Sequence, residues 1–183
     1  MQSYAVQYLN TFYKILDDME REMKEAELSN SISADFINQM IPHHQAAIKM
    51  SENILKYSGD KQIRAIAENI ISEQTKSIAD MRASYPQCRE KVNSNSDIAS
   101  YMERFKAVTD IMFEQMRNSP ASSNVNYDFL VEMIPHHRGA VRMSANLLRF
   151  NICRQLIPIA DAIIVSQLEG IREMEKLLKE YSK

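Results

Sequence analysis

MIPHHQAAIKM, residues 40–50, and MIPHHRGAVRM, residues 133–143, are two copies of one block set 93 positions apart. They hold all four histidines of the chain: His43, His44, His136 and His137. The match extends outward in both directions. Asp35-Phe36 and Asp128-Phe129 precede the block, and Ser51, Asn53 and Leu55 fall on Ser144, Asn146 and Leu148. At the same offset the halves align without a gap from about residue 8 to residue 85. Ten of the twelve methionines pair up as Met19/Met112, Met23/Met116, Met40/Met133, Met50/Met143 and Met81/Met174. A repeat this long suits two halves packed about a pseudo-twofold axis better than a solenoid.

Each half reads as three helices. Leu9, Phe12, Leu16, Met19 and Met23 are spaced 3-4-3-4 over residues 4–26, one face of a helix. Its counterpart uses Met102, Phe105, Met112 and Met116, with Thr109 interrupting. The second helix spans about 33–57 and stops at Ser58-Gly59-Asp60. The third, about 61–85, carries Ile63, Ile66, Ile70, Gln74, Ile78 and Met81; its partner carries Leu156, Ile159, Ile163, Gln167, Ile171 and Met174. Pro158 fits there if it lies in the first turn. Polar joints at 29–33 and 118–126 read as loops. The expected organisation is one all-α domain over 1–183, with repeats at about 4–85 and 97–178 and a linker at 86–96. An antiparallel four-helix bundle with the two first helices packed against it would bury these stripes.

Bulk properties narrow the function. Three glycines, five prolines and abundant Leu, Ile, Met, Ala, Glu and Lys favour helix. The net charge is −2 and the basic residues are scattered, which sets nucleic-acid binding aside. No stretch approaches the roughly 20 apolar residues of a membrane span. The first residues lack the charged, apolar and small-residue pattern of an export signal, so a soluble chain is expected, its compartment open. Cys88, in the expected linker, and Cys153, at a helix start, do not correspond between the repeats. They read as unpaired thiols, with a disulfide in an oxidising compartment as the alternative.

On a helical wheel Met40, His43, Ala47 and Met50 share a face, with His43 about 60° from Met40 on one side and His44 about 40° on the other. Pro42 kinks that helix just before the histidines if it runs through. Neutral imidazole and thioether together suit Cu(I) and Ag(I) better than hard cations. The candidate ligands are therefore His43, His44, His136 and His137, then Met40, Met50, Met133 and Met143. Met19, Met23, Met112 and Met116 follow, with their i, i+4 sulfurs, and Met81 and Met174 come last. Gln74 and Gln167 put an amide on an apolar stripe. Each either bonds the free ring nitrogen of a liganding histidine, fixing its tautomer, or bonds its counterpart across the axis.

The doubled M-I-x-H-H-x-x-A-x-x-M motif, with Gln74, Met81, Gln167 and Met174 trailing, resembles the DUF305 family of helical bacterial proteins over roughly residues 30–180. The resemblance implies a ferritin-like four-helix bundle. It also implies copper or silver handling through Met and His, as in some members, and export from the cytoplasm.

The reading is a carrier that sequesters or delivers Cu(I) or Ag(I), with a delivery protein as partner. The rivals are a metal-free structural or interaction bundle and a redox enzyme on a ferritin-like scaffold. A di-iron site needs Glu-x-x-His pairs, yet Met40, Ile41, Met133 and Ile134 stand three residues before the histidines. No enzyme activity is expected.

Overall fold

The computed structural model describes residues 3–181, and these form six helices: α1 (Tyr4–Lys24), α2 (Ile32–Leu55), α3 (Lys61–Cys88), α4 (Asn95–Arg117), α5 (Val125–Leu147) and α6 (Leu156–Tyr181). Met1 and Gln2 at one end, and Ser182 and Lys183 at the other, lie outside the described residues. Polar side chains start the first five helices by accepting from the exposed amides of the first turn: Ser3, Ser31, Asp60, Ser94 and Asn124. Pro158 does fall in the first turn of α6.

Short connections fold α2 back on α3 and α5 back on α6. The two hairpins then pack with α2 against α5 and α3 against α6. This is the four-helix bundle; α1 covers α2, and α4 covers α5. The two halves repeat their buried polar bonds as well as their apolar stripes. Asn53 Nδ2 donates to Tyr8 O at 3.0 Å, and Asn146 Nδ2 to Tyr101 O at 3.1 Å. Asp35 accepts from the Ser29 amide at 2.7 Å and Asp128 from the Ser122 amide at 2.9 Å. The matched aspartates thus tie down the loops before α2 and α5. The first helices also reach across the axis: Arg117 on α4 pairs with Asp17 and Glu20 on α1.

Two expectations need correction. Cys88 and Cys153, read as unpaired thiols, are joined in a disulfide across a sequence separation of 65. Cys88 ends α3 rather than lying in a linker, and Cys153 sits in the turn before α6. The helix runs past Pro86 because a proline so near the C-terminus removes only one backbone bond, and Ser31 Oγ caps the Cys88 carbonyl at 2.9 Å. The linker shrinks accordingly to residues 89–94.

The 93-residue offset explains why neither cysteine has a cysteine counterpart in the other half. It maps Cys88 onto Tyr181 and Cys153 onto Asp60, and Tyr181 Oη donates to Asp60 Oδ2 at 2.6 Å. Each half therefore clamps the end of its third helix to the turn before the third helix of the other half. One clamp is covalent and the other is a hydrogen bond.

Closing a loop of this length removes about 4 kcal/mol of unfolded-state entropy, whereas one hydrogen bond to a carboxylate contributes about 1–2 kcal/mol. In urea denaturation, Cys88→Ser with Cys153→Ser should thus lower stability well beyond Tyr181→Phe. Equal losses would contradict the covalent clamp.

Candidate metal centre

Both histidine pairs sit one residue past a proline inside a continuous helix, Pro42 in α2 and Pro135 in α5. A proline cannot donate to the carbonyl four residues back. In α5 that carbonyl belongs to Val131, and Ser119 Oγ bonds it instead at 3.1 Å. The histidines therefore project into the bundle from helices that remain intact around them.

Where α2 crosses α5, His43 and His136 stack with ring centroids 3.7 Å apart and planes 24° apart. His136 Nε2–H donates to the His43 carbonyl at 3.0 Å, which leaves His136 Nδ1 with its lone pair free. The reciprocal bond is not made. Each stacked ring lies 5.9 Å from the next imidazole of its own helix, His44 or His137. His44 Nε2 lies 3.1 Å from Ser77 Oγ.

All four rings are buried. Burial, reinforced at His43, His44 and His137 by neighbouring imidazoles, holds them neutral, with His136 at about 4, His44 at about 3, and His43 and His137 well below the usual value. Five buried ring nitrogens have no hydrogen-bond partner: both of His43, and Nδ1 of His44, His136 and His137. Each orphaned polar group costs about 1–3 kcal/mol. A protein that leaves so many imidazole nitrogens bare at one spot has left lone pairs there for something else to use.

The chemistry of the donors is nitrogen and sulfur. Among the described residues, no three His, Cys, Asp or Glu side chains gather as a chelating group. Met40, Met50, Met133 and Met143 are buried in the same core as the histidines, together with Met19, Met81, Met112, Met116 and Met174. Met112 packs so tightly on Gly139 that a Cβ there would overlap its sulfur. Met23 shares that buried core and also lines a cleft of about 520 Å³ between α1 and α4 with Met102, Gln39 and Phe105. Gln74 and Gln167 line a second cleft, between α3 and α6, which reaches His44. Neither amide oxygen has a partner, so the oxygens make neither of the two bonds expected for them.

Three features were missed in the sequence. Glu132, one residue before Met133, is buried and accepts the Tyr8 hydroxyl at 2.6 Å. Burial, helped by the nearby Asp128, raises its pKa well above the ordinary carboxylate value, so its stabilising protonated form is lost as pH rises. Its counterpart is Gln39, bonded by Tyr101, which needs no proton. Ser77, against His44, has Gly170 as counterpart, and a Cβ built at Gly170 would lie 3.2 Å from His137 Nε2. Comparing the halves for mismatches at the 93-residue offset would have flagged Glu132/Gln39 and Ser77/Gly170. The third, Glu73, shows in sequence only as one carboxylate of a polar face.

Because the folded histidines resist protonation, their contribution to stability is present above pH 6.5 and is lost as pH falls through about 4 and about 3. Imidazole NMR titration should find His44 and His136 still neutral at pH 5.5 in the folded protein. Protonation of either near 6.5, with the fold intact, would contradict the buried geometry.

The comparisons concern the fold and the family. A DUF305 fragment from Deinococcus radiodurans is 24% identical, with a TM-score of 0.59 over 81% of this chain and 96% of that one, a likeness of fold. CopM in an Ag-bound form is 28% identical, with a TM-score of 0.62 over 82% of this chain and 97% of that one. CopM in a Cu(II)-bound form is 26% identical, with a TM-score of 0.62 over 81% and 97%. No curated protein matches the chain significantly. The profile of the "Domain of unknown function (DUF305)" matches residues 33–178, which takes in α3, α4 and α5 entire and most of α2 and α6, and the chain belongs to that family.

Proposed function

We propose that this protein binds a soft cation, Cu(I) or Ag(I), at the α2–α5 crossing, for sequestration or transfer to a partner protein. The observation that carries the reading is the stacked His43–His136 pair, neutral, buried and bare at three ring nitrogens. His44 and His137 extend the nitrogen donors, and Met40, Met50, Met133 and Met143 supply thioethers in the surrounding core. Such neutral donors match a soft monovalent ion and, unlike thiolates, leave its charge unneutralised, which favours exchange over permanent retention. Gln74 and Gln167 stand beside His44 without being ligands themselves. The Ag-bound form of CopM, at 28% identity, supports a soft monovalent ion, and its Cu(II)-bound form, at 26%, supports copper as the element without its oxidation state.

The role is binding rather than catalysis: the buried carboxyl nearest the motif in sequence, Glu132, is held by Tyr8. The Cys88–Cys153 disulfide supports an oxidising compartment, in keeping with an exported protein. No helix among the described residues is long and apolar enough to cross a membrane.

One observation favours a metal-free structural role. The methionine faces are packed, with Met40, Met133 and Met143 fully buried. The bare imidazole nitrogens count against it, since a purely structural core gains nothing from leaving them unpaired.

Anaerobic Cu(I) titration against a chromogenic competitor distinguishes the two. Wild type should compete, and His43→Asn with His136→Asn should weaken binding by about 100-fold or more, about 2.7 kcal/mol, while circular dichroism stays helical. Wild-type protein that is folded and does not compete would leave the motif as architecture.

A further inference from the structure

We propose that the cleft between α3 and α6 is the passage by which the cation reaches the buried histidines. This rests on the metal-binding reading and adds the route to it.

The histidines are enclosed, so an ion needs a path through the bundle wall. The α3–α6 cleft, about 260 Å³, has His44 on its lining, with Gln74, Gln167, Ser77, Glu73 and Asp80. His44, Gln74 and Gln167 are only 1%, 1% and 2% exposed, yet they line it. Gln74 Oε1, Gln167 Oε1 and His44 Nδ1 all lack a partner. Two amide oxygens from opposite halves therefore meet at one opening, each carrying the cost of an unpaired buried carbonyl. Amide oxygens are neutral, hard donors that hold a soft cation only weakly, so they can contact it in passing without trapping it.

The mouth is acidic. Glu73 is half-buried on the lining, and the carboxylates of Glu169 and Glu173 on α6 lie near enough to hinder its ionisation. Asp80 is there too, partly neutralised by Lys76 at 2.6 Å. Glu73 and Asp80 outnumber Lys76 on the lining, and with Glu169 and Glu173 close by this excess negative charge in a low-dielectric cleft concentrates a cation and speeds its arrival. At the inner end His44 is 5.9 Å by ring centroids from His43, which stacks on His136. Glu73 thus attracts the ion, Gln74 and Gln167 contact it in passing, and His44 hands it to the stacked pair. Ser77, bonded to His44 Nε2, holds that ring in place.

The test separates rate from affinity. Cu(I) transfer from its bicinchoninate complex is followed anaerobically by stopped flow in wild type, Ala162→Trp and Glu73→Gln. Ala162 is exposed and lines the cleft, so a tryptophan there obstructs the mouth without entering the core. The passage predicts that Ala162→Trp slows association and dissociation together by about tenfold, leaving the equilibrium unmoved. Glu73→Gln should slow association severalfold at low ionic strength, with the difference vanishing at high salt. Normal rates in both variants, with wild-type affinity retained, would overturn the passage while sparing the metal site. Failure of wild type to take up Cu(I) would overturn both.

Discussion

The crossing of α2 and α5 is the constraint around which the molecule is built. Two neutral imidazoles stack there at 3.7 Å, one of them bonded to the backbone of the other's helix. Protonating either would place a charge in a dry core beside three more histidines, and burial keeps that from happening near neutral pH. The pair can remain side by side because both rings are uncharged. The same condition suits them to the proposed role as ligands, since a neutral imidazole keeps a lone pair.

Duplication supplied the symmetry, and the departures from it are informative. The covalent clamp Cys88–Cys153 stands opposite the hydrogen-bonded clamp Asp60–Tyr181. Tyr8 meets an acid, Glu132, where Tyr101 meets an amide, Gln39. Ser77 holds His44, while Gly170 leaves the matching side of His137 without a hydroxyl. On α4, Thr109 and Lys106 replace the Leu16 and Tyr13 of α1, and the cleft that Met23 lines lies against that position. The two halves share a scaffold and differ in detail, with the α3–α6 cleft opening beside His44.

The helices and their grouping were legible because amphipathic stripes and a gapless repeat are local signals. The bundle followed from having to bury those stripes. Helix ends were less so: Pro86 reads as a stop, but α3 continues to Cys88, where long-range partners hold it. The disulfide was illegible for the same reason, since pairing across 65 residues depends on the packing of both hairpins. At the candidate site, residue types and the shared face of Met40, His43 and Met50 could be read directly. Depth and mutual contact could not, because a helical wheel says nothing about which helix lies opposite. It therefore missed the stacking of His43 on His136.

The most direct test of the central claim is anomalous diffraction from crystals loaded with Ag(I) or Cu(I). The account predicts a peak at the α2–α5 crossing, within bonding distance of a ring nitrogen of His43 or His136. A peak confined to surface carboxylates or to the Met23–Met102 cleft, with the stacked rings unchanged, would contradict it.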